Sequence, residues 1–198
     1  SLSYFLSRPP QIESLAGSII WLGGHLGAPS AIHFEFGSLN ITSGLDNWIS
    51  PAISLLTIAG LLTLFWLQWR RRLDLAQSLT GLVCVLIVTG KVFSPQYLIW
   101  LLPFLALLAA RRQTSRLWMI AWAIISFLTT FIYIFYYSQL PDPQAAQKVI
   151  ETLPGFFELV ALRNALLVLT TLAFLCNWGQ ARVLRSPLAE PSQASLRV

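Results

Sequence analysis

The chain has 198 residues, of which 56% are hydrophobic and 11% charged, with a net charge of +5 and a mean hydropathy of +0.66. A soluble domain carries about 25% charged residues, so this composition excludes a soluble globular enzyme and a disordered tail. The thirteen basic residues fall in short clusters between apolar runs, which is the pattern of a polytopic membrane protein and not of a nucleic-acid binder.

In chain order, Ser1 to Leu6 reads as the tail of an earlier helix, and Pro9-Pro10 forces an extended turn through R-P-P-Q-I-E-S. The only Met is Met119, so the chain is expected to be the C-terminal piece of a longer protein. Leu15 to Leu26 is apolar but too short to cross a bilayer, and reads as an interfacial or re-entrant helix. Ile32, Phe34 and Phe36 alternate ahead of Gly37-Ser38, which predicts a small hairpin within Ala31 to Thr42. Asn40-Ile41-Thr42 matches a glycosylation sequon.

Five apolar spans follow: Trp48 to Trp69, Leu75 to Phe93, Tyr97 to Ala110, Leu117 to Tyr137 and Leu159 to Trp178. The third is short, holds Pro103 and is expected to begin at Pro95. Between the fourth and fifth, Pro141 and Pro143 interrupt the chain, Ala145 to Leu153 forms a short helix and Pro154-Gly155 ends it. The tail after Pro187 is polar and reads as disordered. Cys84 and Cys176 read as buried free thiols, with no disulfide or metal framework.

When five spans alternate, nine basic and two acidic residues fall on one side, a net charge of +7. The other side holds four basic and six acidic residues, a net charge of −2. The basic side is therefore expected to be cytoplasmic, with the C-terminus inside. The chain divides into an outer-face segment over residues 1–47, a five-span bundle over 48–178 and a cytoplasmic tail over 179–198. The expected fold is all-α and polytopic, with an outer interfacial helix and a short outer hairpin.

Lys91 is the most informative polar residue. It is expected on the last turn of the second span, in K-V-F-S-P-Q-Y, at a tight turn between two apolar runs. Its ammonium either snorkels to headgroups along its alkyl stem or forms an anion site with Ser94, Gln96 and Tyr97. The free N–H groups of a helix starting at Pro95 would add to such a site. Arg8, Gln11 and Glu13 form either a solvated linker or a polar strand lining a cleft, with Arg8 as a second phosphate partner. Arg163 lies one turn inside the fifth span and either snorkels outward beside Glu158 or contributes a third cation. His25 and His33 read as structural.

The strings R-P-P-Q-I-E-S and K-V-F-S-P-Q-Y-L-I-W-L-L-P together resemble the C-terminal part of the polyprenyl-phosphate-dependent membrane glycosyltransferases of family 87. The first string departs from that pattern, with Pro9-Pro10 where the family has Gly-Leu or similar. The resemblance covers about residues 4–178. It implies a GT-C-like fold and transfer of mannose or another hexose from a polyprenyl-phosphate donor to a lipid or glycan acceptor. That transfer would take place at the outer face of a bacterial cytoplasmic membrane. The catalytic carboxylate would lie in a loop upstream of Ser1, so this chain alone is expected to be inactive. No metal or other cofactor is implied. Substrate binding would fall to Arg8, Gln11, Glu13, Lys91, Ser94, Gln96, Tyr97 and Arg163.

Cations at the outer end suit this chemistry, because a leaving phosphate gathers charge in the transition state. A transporter or flippase segment for a lipid-linked substrate is the alternative. It predicts polar residues through the depth of the spans, whereas here they gather at the outer ends.

Overall fold

The computed structural model describes residues 8–140 and 143–177. The fold is mostly helical, with one two-stranded sheet. Helix α1 spans Leu15–His25, and strands β1 (Ser30–Glu35) and β2 (Ser38–Ser43) form an antiparallel hairpin. Helices α2 (Asp46–Trp69), α3 (Leu75–Thr89), α4 (Gln96–Ala110) and α5 (Arg116–Phe135) follow. A 3₁₀ turn over Tyr137–Gln139 leads to α6 (Pro143–Thr152) and α7 (Phe156–Asn177). The segments Ser1 to Leu6 and the tail after Pro187 lie outside the described residues.

Three helical stretches are long and apolar enough to cross a membrane: Asp46–Trp69, Arg116–Gln139 and Phe156–Cys176. Helices α3 and α4 are apolar but have 15 residues each, about 22 Å at 1.5 Å per residue against a hydrocarbon core of about 30 Å. The run from Leu75 to Phe93 is therefore not one helix. Gly90 leaves α3 in an extended conformation, and the chain bends so that Phe93 turns into the core. Lys91 lies beyond the helix, not on its last turn. Pro95 is the N-cap of α4, one residue ahead of Gln96.

The helices alternate in direction. Val85 crowds Gly60 and Leu64 crowds Gly81, so α2 and α3 run antiparallel at close approach. Trp118 of α5 stacks on Phe174 of α7 at 5.3 Å and donates its indole N–H to the Thr170 carbonyl. At the other end of the same pair, Tyr136 meets Phe156. The core runs between α3, α4, α5 and α7. Large apolar side chains such as Leu55, Phe65, Trp69, Trp100 and Phe127 face outward, as a lipid-facing surface requires.

The α2–α3 and α4–α5 linkers share one design. Each helix ends with an arginine in the left-handed region, Arg71 at φ 53° and Arg112 at φ 52°. Arg71 N–H bonds to Gln68 and Arg72 N–H to Leu67; Arg112 N–H bonds to Ala109 and Gln113 N–H to Leu108. This is the Schellman pattern, usually closed by glycine. The next helices are capped by Asp74, in a capping box with Gln77, and by Ser115. The two turns touch: Gln113 Nε2 donates to Asp74 Oδ2 at 3.0 Å, and Arg111 approaches the same oxygen at 3.7 Å.

At the opposite end, the hairpin turns at Phe36-Gly37, both at positive φ, the signature of a type I′ turn. Asn40 is fully buried in β2. Its amide donates to the carbonyls of Glu35 and Ser38. The sequon asparagine is thus committed inside the fold, and its amide nitrogen is not presented for glycosylation. Cys84 is buried as expected, but Cys176 is exposed, because it lies on the outward face of α7.

Candidate functional site

The segment Arg8 to Ser14 is bound on three sides. Toward the hairpin, Ile12 N–H donates to Leu39, Ile41 N–H donates to Pro10, and Gln11 bridges to Asn40. Toward the α3–α4 turn, Gln11 N–H donates to the Lys91 carbonyl at 2.9 Å, and Gln11 Oε1 accepts from Phe93 N–H at 2.9 Å. Toward α7, Glu13 meets Arg163 and Asn164. Ser14 then caps α1 by accepting from Gly17 N–H. Gly17 is obligatory there, since a Cβ would lie 2.4 Å from the Gln11 carbonyl oxygen.

Arg163 is fully buried and does not snorkel beside Glu158. Its Nη1 pairs with Glu13 Oε2 at 3.0 Å, and Nη2 donates to the Glu13 carbonyl and to Asn164 Oδ1. The guanidinium lies over the Phe93 ring, 3.8 Å from its centroid. Glu13 Oε1 accepts from the Tyr137 hydroxyl at 2.5 Å. Asn164 Nδ2 donates to the Glu13 and Ser14 carbonyls and to Ser18 Oγ. A buried charge persists only when its donors and acceptors are met, and here they are met internally. Glu13 and Arg163 form a structural knot joining the N-terminal segment, the α3–α4 turn and α7.

The remaining cations stand beside this knot. Lys91 Nζ lies 3.4 Å from the Arg8 carbonyl. Arg8 Nη2 donates to Ser38 Oγ at 2.8 Å, which in turn donates to Asn40 Oδ1. Arg8 Nε is enclosed and has no acceptor among the described residues. An enclosed guanidinium N–H without an acceptor leaves the hydrogen bonding of this corner incomplete.

The same turn that carries Lys91 builds one wall of a groove of about 490 Å³ between α4 and α5. Its lining runs from Ser94 and Gln96, with Tyr133 across from them, to Leu98, Ile99 and Leu102. Helices α4 and α5 are consecutive, yet both pack chiefly on other helices, which leaves this cleft open along their length.

The eight residues singled out by sequence are therefore divided. Arg8, Gln11, Glu13, Lys91 and Arg163 are brought into one polar corner. Ser94 and Gln96 line the groove. Tyr97 belongs to neither, since its ring packs 4.8 Å from Trp100 and against the core. Sequence reasoning passed over Asn164, Ser18 and Tyr137, which complete the knot. It also passed over Ser126, Thr129, Thr130 and Tyr133, which line the groove from α5. Their spacing of three and four places them on one helix face, a signal present in the sequence. His25 is exposed against Trp21, and His33 is exposed on β1.

Polar side chains are not confined to one end. Ser78, Thr80, Thr170 and Thr171 are buried deeper in the bundle, but they are uncharged, and Thr80 returns its hydroxyl to the Ala76 carbonyl. Comparison with family models, with curated proteins and with solved structures finds no match to this chain.

Proposed function

We propose that this chain is the C-terminal part of an integral membrane glycosyltransferase. The enzyme moves a hexose from a polyprenyl-phosphate donor to a lipid or glycan acceptor. In this reading all five apolar helices of the bundle, α2 to α5 and α7, are spans. The short α3 and α4 are accommodated by packing against their longer neighbours, and the basic end is cytoplasmic.

The observation that carries the reading is the joining of a cationic corner to an amphipathic groove. Lys91 and Arg8 stand together outside the groove's lining, with Lys91 on the turn whose later residues, Ser94 and Gln96, form the groove's polar end. Below that, Leu98, Ile99 and Leu102 offer an apolar surface. A ligand with a phosphate head and a long isoprenoid tail matches both parts. Charge-assisted hydrogen bonds to the phosphate would strengthen as the sugar departs and charge develops on it. Glu13 does not serve as the base that deprotonates the acceptor, because it is committed to Arg163 and Tyr137.

The test is transfer rate per unit of inserted full-length protein. A charge-assisted hydrogen bond is worth about 1.5–3 kcal/mol. Lys91→Met should therefore lower the rate roughly 10- to 150-fold, with unchanged unfolding, if the bond is made mainly in the transition state. Lys91→Arg should retain part of the rate, since the charge stays but its geometry changes. An unchanged rate in Lys91→Met removes Lys91 from the site.

A further inference from the structure

The opposite, basic end of the bundle holds a second cavity. It has a volume of about 790 Å³ and lies between the end of α4 and the start of α5. Arg112 and Arg116 line it together with the hydroxyl-bearing Thr114 and Ser115. Met119 and Ile120 continue the wall down α5 as apolar surface. Neither arginine forms an ion pair among the described residues; Asp74, which touches this turn, is engaged by Arg111 and Gln113. Ser115 Oγ accepts from Trp118 N–H, which leaves its own proton to donate. The cavity therefore offers two guanidinium groups and two hydroxyls beside an apolar wall, with no carboxylate in its lining.

We propose that this cavity binds an anionic phospholipid, with the phosphate held by Arg112 and Arg116 and an acyl chain lying along Met119 and Ile120. The charge selects an anion, and the apolar wall selects one that carries a chain. Basic pockets between membrane helices take anionic headgroups for this reason. Arg70 and Arg72, on the neighbouring turn, lie outside this lining and stack on the Trp66 ring at 5.5 and 5.7 Å. The inference rests on α4 and α5 lying in a bilayer, and it stands whether or not the other end transfers sugar.

The experiment is native mass spectrometry of the detergent-solubilised chain, titrated with dioleoyl-phosphatidylglycerol and separately with dioleoyl-phosphatidylcholine. The wild type should prefer the anionic lipid. At the usual strength of a basic residue beside an anionic lipid, Arg112→Gln/Arg116→Gln should reduce that preference roughly tenfold to thirtyfold. Arg70→Gln/Arg72→Gln removes the same charge from the same end and should leave the preference nearly intact. Equal losses in the two double variants would overturn the proposal in favour of diffuse surface attraction. Ile120→Trp, which fills the apolar wall and keeps both arginines, should weaken phosphatidylglycerol binding. If it does not, or if inorganic phosphate at millimolar concentration displaces the lipid, the cavity holds an anion alone and the lipid assignment fails.

Discussion

Glu13→Gln and Arg163→Met test the knot most directly, separately and together. In Glu13→Gln the pairing at 3.0 Å to Arg163 Nη1 loses its charge, while the Glu13 backbone carbonyl and Asn164 Oδ1 still accept from the guanidinium. Arg163 is then a buried cation whose countercharge is gone. Removing one partner of a buried pair costs about 3–5 kcal/mol. Arg163→Met strands Glu13 in the same way and also removes the cation above the Phe93 ring, 3.8 Å from its centroid. A desolvated contact of that kind is worth about 2 kcal/mol, so Arg163→Met should be the more damaging single change. In the double variant no buried charge remains at the pair, and the total loss should be close to that of Arg163→Met alone. The coupling energy then equals the Glu13→Gln loss, about 3–5 kcal/mol, whereas independent sites add to within about 0.5 kcal/mol. Tryptophan fluorescence during unfolding in mixed micelles with rising dodecyl sulfate measures all four species. If the two losses simply add, Glu13 and Arg163 are not one unit, and the account of the knot is wrong.

Gly17→Ala should cost about 2 kcal/mol or more in the same assay, because its Cβ would sit 2.4 Å from backbone oxygen. Gly81→Ala should cost less, since its Cβ would meet the flexible tip of Leu64 at 2.5 Å. Arg71→Gly should raise stability by about 0.5–1 kcal/mol, as relief of left-handed backbone strain exceeds the added freedom of the unfolded chain. For topology, an impermeant maleimide on intact cells should label a cysteine at Gln144 but not one at Gln113, in a background lacking the exposed Cys176; labelling at Gln113 would refute the side assignment.

Much of the helical framework was legible because long apolar runs punctuated by basic clusters leave too little polar surface for a fold in water. Asp46–Trp69 and Arg116–Phe135 begin within two residues of the expected starts. The hairpin was legible from alternation around Gly37. Hydropathy could not show that α3 stops at Thr89, because Val92 and Phe93 are as apolar as the helix before them. The chain breaks there to bring the Lys91 carbonyl and the Phe93 amide to Gln11, a partner some eighty residues earlier in sequence. Arg163 fails for a similar reason. Its local neighbours suggest snorkelling toward Glu158, while its partner is 150 positions away. Long-range polar pairing leaves no periodicity to read.

The Glu13–Arg163 pair also sets an order on biogenesis. Glu13 emerges from the ribosome with the N-terminal segment, and its countercharge arrives only with α7, the final helix among the described residues. Until then Glu13 has only Tyr137 for company, and the segment that carries it has no lasting reason to stay docked on the bundle. The nascent chain thus carries Glu13 without its cation through the synthesis of helices α2 to α5. Delivery of Arg163 cancels it and fixes the amino-terminal segment to the last helix in one event. A chain cut short before residue 163 would lack the cation that pairs with Glu13, and the amino-terminal segment would lose its main tie to the bundle.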